Sequence, residues 1–228
     1  CDWSSDVCSS DLNCPYIPEL HEWALDFPRL MLRADAMRHA TKQVSMRKRI
    51  TDNVMGRTDL MGRAASAAAP LANKVVGARP GSVVRKVVEA TAGVSAVRLL
   101  PPYARQRFST WFAKRPKVRI AKRQGRVAVF PTCLVEYQQP QIGHDLVKVY
   151  ERNGVECKLA DGASCCGAPW LHSGDVEQFA KVAAKNVRAL ARAVRKGQDI
   201  VVPQPTCGYV LRKDYPVHVP SDDARLVA

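Results

Sequence analysis

No stretch of this 228-residue chain is apolar for long enough to cross a membrane as a helix. No basic region followed by an apolar one opens it, so no secretory leader is read. An initiator Met is missing, and the closing "SDDARLVA" reads like a helix just beginning. These features predict a fragment cut at both ends, from a cytoplasmic protein. Neither a nucleophile–base pair nor a phosphate-cradling glycine loop is evident, which argues against independent catalysis. Acidic residues are scarce in one region. From Arg29 to Arg126 there are 23 Lys and Arg against 4 Asp and Glu, and the remainder of the chain is slightly acidic. That imbalance suits an anionic surface or partner. Charge alone is a poor argument for nucleic acid, because the segment has no evident reading motif.

What the chain does have is cysteine, eight in all. Without a secretion signal, such cysteines more often bind metal or do redox work than form a disulfide framework. The first three lie in "CDWSSDVCSSDLNCPY". Cys14-Pro15 is how the bacterial ferredoxin run C-x2-C-x2-C-x3-C-P finishes. The positions that should carry its other cysteines hold Ser10, Val7 and Ser4. Asp2 to Leu12 resembles an in-frame translation of a common short-read sequencing adapter. Residues 1–12 are therefore expected to be an assembly artefact, with Cys1 and Cys8 foreign to the native protein. Cys14 is then the last cysteine of a metal-binding run whose other members are missing here.

Along the chain, residues 13–28 read as an irregular loop, and Asp26 can cap a helix that tolerates Pro28 in its first turn. Residues 29–122 form a basic, mostly helical connector. Helices are expected over 29–50, 62–76 and 82–100, with breaks at Pro70 and at Arg79-Pro80-Gly81. From residue 123 the character changes. "RVAVF", "VECKL" and "DIVVPQ" are short β-rich runs. Between them lie two helices, the first with Ile142, Leu146, Val149 and Tyr150 on one face and a stop at Asn153-Gly154. The second carries Val176, Ala180, Ala183, Val187, Leu190 and Val194 at helical spacing and ends at Gly197. The order β-α-β-α-β predicts an α/β fold with a parallel sheet and right-handed crossovers.

On that scheme Cys133 follows the first strand, Cys165 and Cys166 the second, and Cys207 the third. Ligand sites of open α/β sheets gather at the carboxyl ends of the strands. Four thiolates converging there suit an iron–sulfur cluster. They also suit Zn²⁺, so a non-redox zinc module is the alternative. Cys157 alternates with Val155 and Leu159 inside the second strand and is expected in the core. His144 and His172 are weaker candidates, since lone histidines beside helices are more often surface or capping residues.

The run from Val127 to Asp175, with Cys133, then Cys165-Cys166-Gly167 and later Cys207, resembles the cysteine-rich CCG domain of heterodisulfide reductase-related iron–sulfur proteins. The family includes the C subunit of anaerobic glycerol-3-phosphate dehydrogenase and subunits of glycolate and lactate oxidising systems. "NCPYIPELHEWALDFPRLMLRADA" is similar to the sequence after the last ferredoxin cysteine of the glycerol-3-phosphate dehydrogenase type. The resemblance implies that 13–28 is the remnant of a ferredoxin-like 4Fe-4S domain and that 123–228 is the first, truncated CCG unit. It further implies a 4Fe-4S cluster on Cys133, Cys165, Cys166 and Cys207, and electron transfer between a flavin-dependent dehydrogenase and a quinone or thiol/disulfide acceptor. The family pattern ends in C-x2-C. Here Val210 occupies the last position, leaving four thiolates, which suffice for a four-iron cluster. Attachment to the inner membrane face through the basic connector is expected to be peripheral.

Overall fold

The computed structural model describes residues 22, 23, 26–116, 118 and 122–228. Cys1, Cys8 and Cys14, with the expected artefact and most of the expected ferredoxin remnant, lie outside the described residues.

The basic segment folds into short helices. α1 (Phe27–Ala40) starts as predicted: the Asp26 side chain accepts from Arg29 N–H at 2.9 Å, and Pro28 sits in the first turn. The helix expected to run from 29 to 50 is interrupted. The Thr41 hydroxyl bonds back to Met37 O, Lys42 takes a left-handed φ of 58°, and Ser45 caps a new helix, α2 (Met46–Gly56). Hydrophobic periodicity carries no signal for such a local stop. α3 (Thr58–Ala67) and α4 (Ala69–Val76) part at Ala68, with Pro70 in the first turn of α4. The helix expected over 82–100 is only α5 (Val83–Ala92). Gly93 closes it with a left-handed φ of 72°. The chain then folds back, so that Ser95 O and Arg98 O accept from the Arg85 guanidinium at 3.2 and 2.6 Å. α6 (Phe108–Lys114) leads into the sheet domain.

β1 (Gly125–Val129) opens the sheet and is followed by α7 (Cys133–Tyr137) and α8 (Pro140–Arg152). β2 (Val155–Leu159), α9 (Ala168–His172) and the long α10 (Val176–Arg195) come next, then β3 (Asp199–Val201). The strands are parallel in the order β2-β1-β3, with Gly125 opposite Val155 and Val127 opposite Asp199. α11 (Pro205–Tyr209) runs directly into a π-helical turn over Val210–Asp214, and α12 (Tyr215–His218) and α13 (Asp222–Val227) finish the chain.

Alternation along central β1 sends its side chains into two cores. Val127 and Val129 pack with Phe108, Val135, Val147 and Cys157. Ala128 and Phe130 pack with Phe179, Ala183, Val187 and Leu190 of α10. Cys157 is thus a free core thiol, as its alternation predicted. The α8 stripe is rotated from expectation. Gly143 and Val147 are buried, Leu146 and Tyr150 are half-buried, and Ile142 and Val149 are exposed. Gly143 has no side chain, so Phe108 and Val135 press against its backbone, and this turns the helix.

The helical segment is packed onto the sheet domain, not held away from it. Gly56 lies under the Trp170 indole, Gly62 under the Tyr137 ring, and Gly174 against the Asp35 backbone. Gly174 also has a φ of +84°. Gly174→Ala is expected to cost about 1–3 kcal/mol from backbone strain, with the collision against Asp35 added. Urea unfolding midpoints of the two proteins measure it.

Asp214, at the end of the π-helical turn, is buried, and its carboxyl is pushed up from an ordinary 3.8 to about 6, by burial first, against the pull of Arg29. The folded state therefore holds this proton to higher pH than the unfolded chain. The stabilisation is fully present below the unfolded value, declines as pH rises from about 4 to about 6, and is gone above that. A shift of this size corresponds to about 3 kcal/mol. Asp214→Asn is expected to flatten that part of a stability-against-pH curve.

Candidate metal centre

The strand order places β1 between strands reached by crossovers in opposite directions, so a crevice opens at the carboxyl edge of the sheet. The four predicted cysteines meet there. Cys133 is the first residue of α7. Before it stands Thr132, fully buried, whose side chain accepts from Val135 N–H at 3.4 Å. Cys165 and Cys166 lie in the loop after β2, which Gly167 ends with a φ of 86° before α9. A side chain at Gly167 would press on Phe179 and Val182, so glycine serves both the turn and the close approach of α10. Cys207 sits in α11, its thiol 3.7 Å from Gln204 Oε1.

All four are free. Cys165, Cys166 and Cys207 are buried and Cys133 is half-buried. Their thiols form a chain of contacts, Cys133 to Cys165, Cys165 to Cys166, and Cys166 to Cys207. The contacts polarise the group. Hydrogen bonds from the Cys133 and Cys166 thiols, joined by the Gly167 N–H, hold Cys165 well below the ordinary thiol range despite its burial. Cys133 is pushed up by its bond to Cys165 and then by burial. Cys166 is pushed up by its bonds to Cys165 and Cys207 and then by burial. Such a set is rich in the soft donors that iron–sulfur clusters require. Among the described residues no three His, Cys, Asp or Glu side chains are grouped so that they could hold a single metal ion as they stand.

The two histidines stand elsewhere. His144, on α8, stacks on Trp111 with ring centroids 3.8 Å apart, and burial lowers its pKa. His172 ends α9, where burial lowers it against the opposing charge of Asp35. Val210, in the position of the family's final cysteine, is the first residue of the π-helical turn and is buried in the core.

Residues that the sequence pattern did not single out hold the double-cysteine loop in place. Asn186, fully buried on α10, accepts from Ser164 N–H at 2.8 Å and donates to Cys165 O at 2.9 Å and to the Tyr215 hydroxyl at 2.9 Å. The Tyr215 hydroxyl in turn donates to Cys166 O at 2.8 Å. Asp59, on α3, accepts from Cys165 N–H at 2.9 Å through one oxygen and from the Tyr137 hydroxyl at 3.0 Å through the other. Asn186 carried one signal: an amide on the apolar stripe of α10, where a polar group must find partners. Asp59 carried only its scarcity, as one of four acids in a basic segment, and it reaches a loop 106 residues away.

A parallel α/β sheet with four thiols at its carboxyl edge is the arrangement to set beside known cysteine-rich proteins. Residues 127–212 match the family described as "Cysteine-rich domain", CCG. The chain is 32% identical over 180 residues to the C subunit of anaerobic glycerol-3-phosphate dehydrogenase from Escherichia coli K12, an alignment covering 78% of this chain and 44% of that protein. It is 35% identical over 92 residues to the B subunit of the fumarate reductase (CoM/CoB) of Methanothermobacter marburgensis, covering 40% of this chain and 18% of that one. With lactate utilization protein A of Bacillus pumilus the identity is 37% over 82 residues, 36% of this chain and 33% of the relative. The chain thus spans less than half the length of these relatives. No solved structure matches it.

Proposed function

We propose that this chain is the iron–sulfur electron-transfer part of an oxidoreductase. In this reading Cys133, Cys165, Cys166 and Cys207 hold a 4Fe-4S cluster. The observation that carries it is the meeting of four free thiols at the carboxyl edge of the sheet, with no disulfide among them. The relatives are subunits of a dehydrogenase and of a reductase, which favours work within a redox complex. When bound, the cluster supplies one-electron transfer with little rearrangement. The protein's own part is to exclude water and to fix the loop. Burial of Cys165, Cys166 and Cys207 does the first. Asn186, Tyr215 and Asp59 do the second, engaging the backbone of Ser164, Cys165 and Cys166. Hydrogen bonds around cysteine ligands also tune cluster potential.

The donor we propose is a flavin-dependent dehydrogenase subunit and the acceptor a quinone or a thiol/disulfide pair. We further propose that Cys14 ligates a second, ferredoxin-type cluster in the natural protein, of which residues 13–28 are a remnant. The test is anaerobic reconstitution with iron and sulfide. Broad visible absorbance and a reduced-state electron paramagnetic resonance signal are expected. A colourless protein that takes up one zinc instead would refute the redox reading.

The basic segment is proposed to attach peripherally to an anionic membrane face. No described helix is long and apolar enough to cross a membrane. Yet Met37, Met46, Ile50, Leu60 and Leu71 are all at least 60% exposed among its arginines and lysines. That mixture suits a bilayer interface. Co-sedimentation with phosphatidylglycerol vesicles is expected at low salt and should weaken as salt screens the attraction. Equally negligible binding to neutral and anionic vesicles would reject it.

A further inference from the structure

A cleft of about 420 Å³ opens between α3, the loop before α6 and α6 itself, away from the cysteines. Arg63, Arg105, Arg107 and Lys114 line it, with Ser66 and Thr110, and no acid is among the lining residues. Two carboxylates stand behind the cleft: Asp59, whose charge acts on Arg63, and the buried Glu136. Glu136 already accepts from Ser109 N–H and hydroxyl at 2.9 and 2.6 Å and pairs with Arg107 at 3.6 Å. Glu136 can therefore balance one cation at most. Among the described residues Arg105 and Lys114 enter no ion pair. A second observation points the same way. Ser66 is 5% exposed, yet its buried hydroxyl has no hydrogen-bond partner. Buried hydroxyls in native proteins are nearly always satisfied, so this one, unpaired and closed off from solvent in the wall of the cleft, offers a donor to a polar ligand once the wall shifts to admit it.

We propose that this cleft binds a phosphate group. Three guanidiniums offer paired N–H donors that match phosphate oxygens. A phosphate dianion matches the surplus charge better than a carboxylate does. Its several oxygens can accept from Ser66 and Thr110 as well as from the cations. The volume falls in the range of small-molecule sites. The group could be carried by a soluble phosphate ester or by a lipid headgroup, and the experiment separates the two.

The substitutions of choice are Arg105→Gln with Lys114→Gln, because both side chains are exposed. Arg63 is less suitable, since its guanidinium bonds the Tyr137 hydroxyl that braces Asp59. Ser66→Ala removes only the buried hydroxyl. Lys196→Gln, an exposed cation elsewhere, is the control. Calorimetric titrations of the full chain would use inorganic phosphate and methyl phosphate, against acetate and chloride at matched ionic strength. A second arm would use phosphatidylcholine vesicles with and without phosphatidic acid. Phosphate or methyl phosphate is expected to bind more tightly than acetate. The double substitution should weaken that binding roughly tenfold or more, Ser66→Ala should weaken it severalfold, and Lys196→Gln should leave it unchanged. Binding seen only with phosphatidic acid, and lost in the same variants, assigns the site to a headgroup. No binding in either arm, equal binding of acetate, or affinity untouched by the cleft substitutions overturns the proposal.

Discussion

Cys165→Ser and Cys166→Ser are expected to lose bound iron almost completely and to unfold at much lower denaturant than the loaded parent. Serine nearly conserves volume but cannot supply a thiolate, so the change isolates ligation from packing. Metal ligation in small domains can be worth on the order of 10 kcal/mol of folding free energy. Both residues sit in a loop whose backbone is tied to α3, α10 and α12, so loss of the cluster should spread to those contacts. Cys157→Ser is the control. Its thiol lies in the opposite core, against Phe108 and Val147. That variant should keep its iron and lose only about 1–3 kcal/mol for a hydroxyl buried without a good partner. Iron analysis, visible absorbance and denaturation of the three proteins decide the matter. Full iron in both loop variants would refute the ligand assignment.

Asn186→Ala should be the most damaging substitution outside the cysteines. The side chain bridges Ser164, Cys165 and Tyr215 from a fully buried position on α10. Truncation leaves Ser164 N–H and Cys165 O without this partner. Each buried group left unpaired costs about 1–3 kcal/mol, so a loss of about 4 kcal/mol is expected, with weaker retention of iron. Tyr215→Phe removes only the hydroxyl that bonds Cys166 O and Asn186 and should cost less. Because the two side chains share one network, their effects should not add, and a double-mutant cycle would show the coupling. If Asn186→Ala keeps the parent's stability and iron content, the loop is held by something else.

Much of the sheet domain was legible from the sequence because its information is local. The short β-rich runs "RVAVF", "VECKL" and "DIVVPQ", helical spacing in Val176–Arg195 and the turn at Gly197 pointed to the β-α-β-α-β order. That order, with the rule that strand ends gather ligands, brought Cys133, Cys165, Cys166 and Cys207 to one edge. The same local logic placed Cys157 in the core. It failed where a stop is made by one residue's backbone, as at Lys42 and Gly93, and where a glycine lets a neighbour press in, as Gly143 lets Phe108 rotate the buried face of α8. What only the tertiary structure decided are contacts between segments far apart in the chain. Asp59 reaching Cys165, Asn186 and Tyr215 bracing the double-cysteine loop, and the arginines of α3 and the loop before α6 facing each other across one cleft leave no trace in periodicity or spacing. Their partners are chosen by packing in three dimensions, whereas a strand or a helix is chosen by residues a few positions apart.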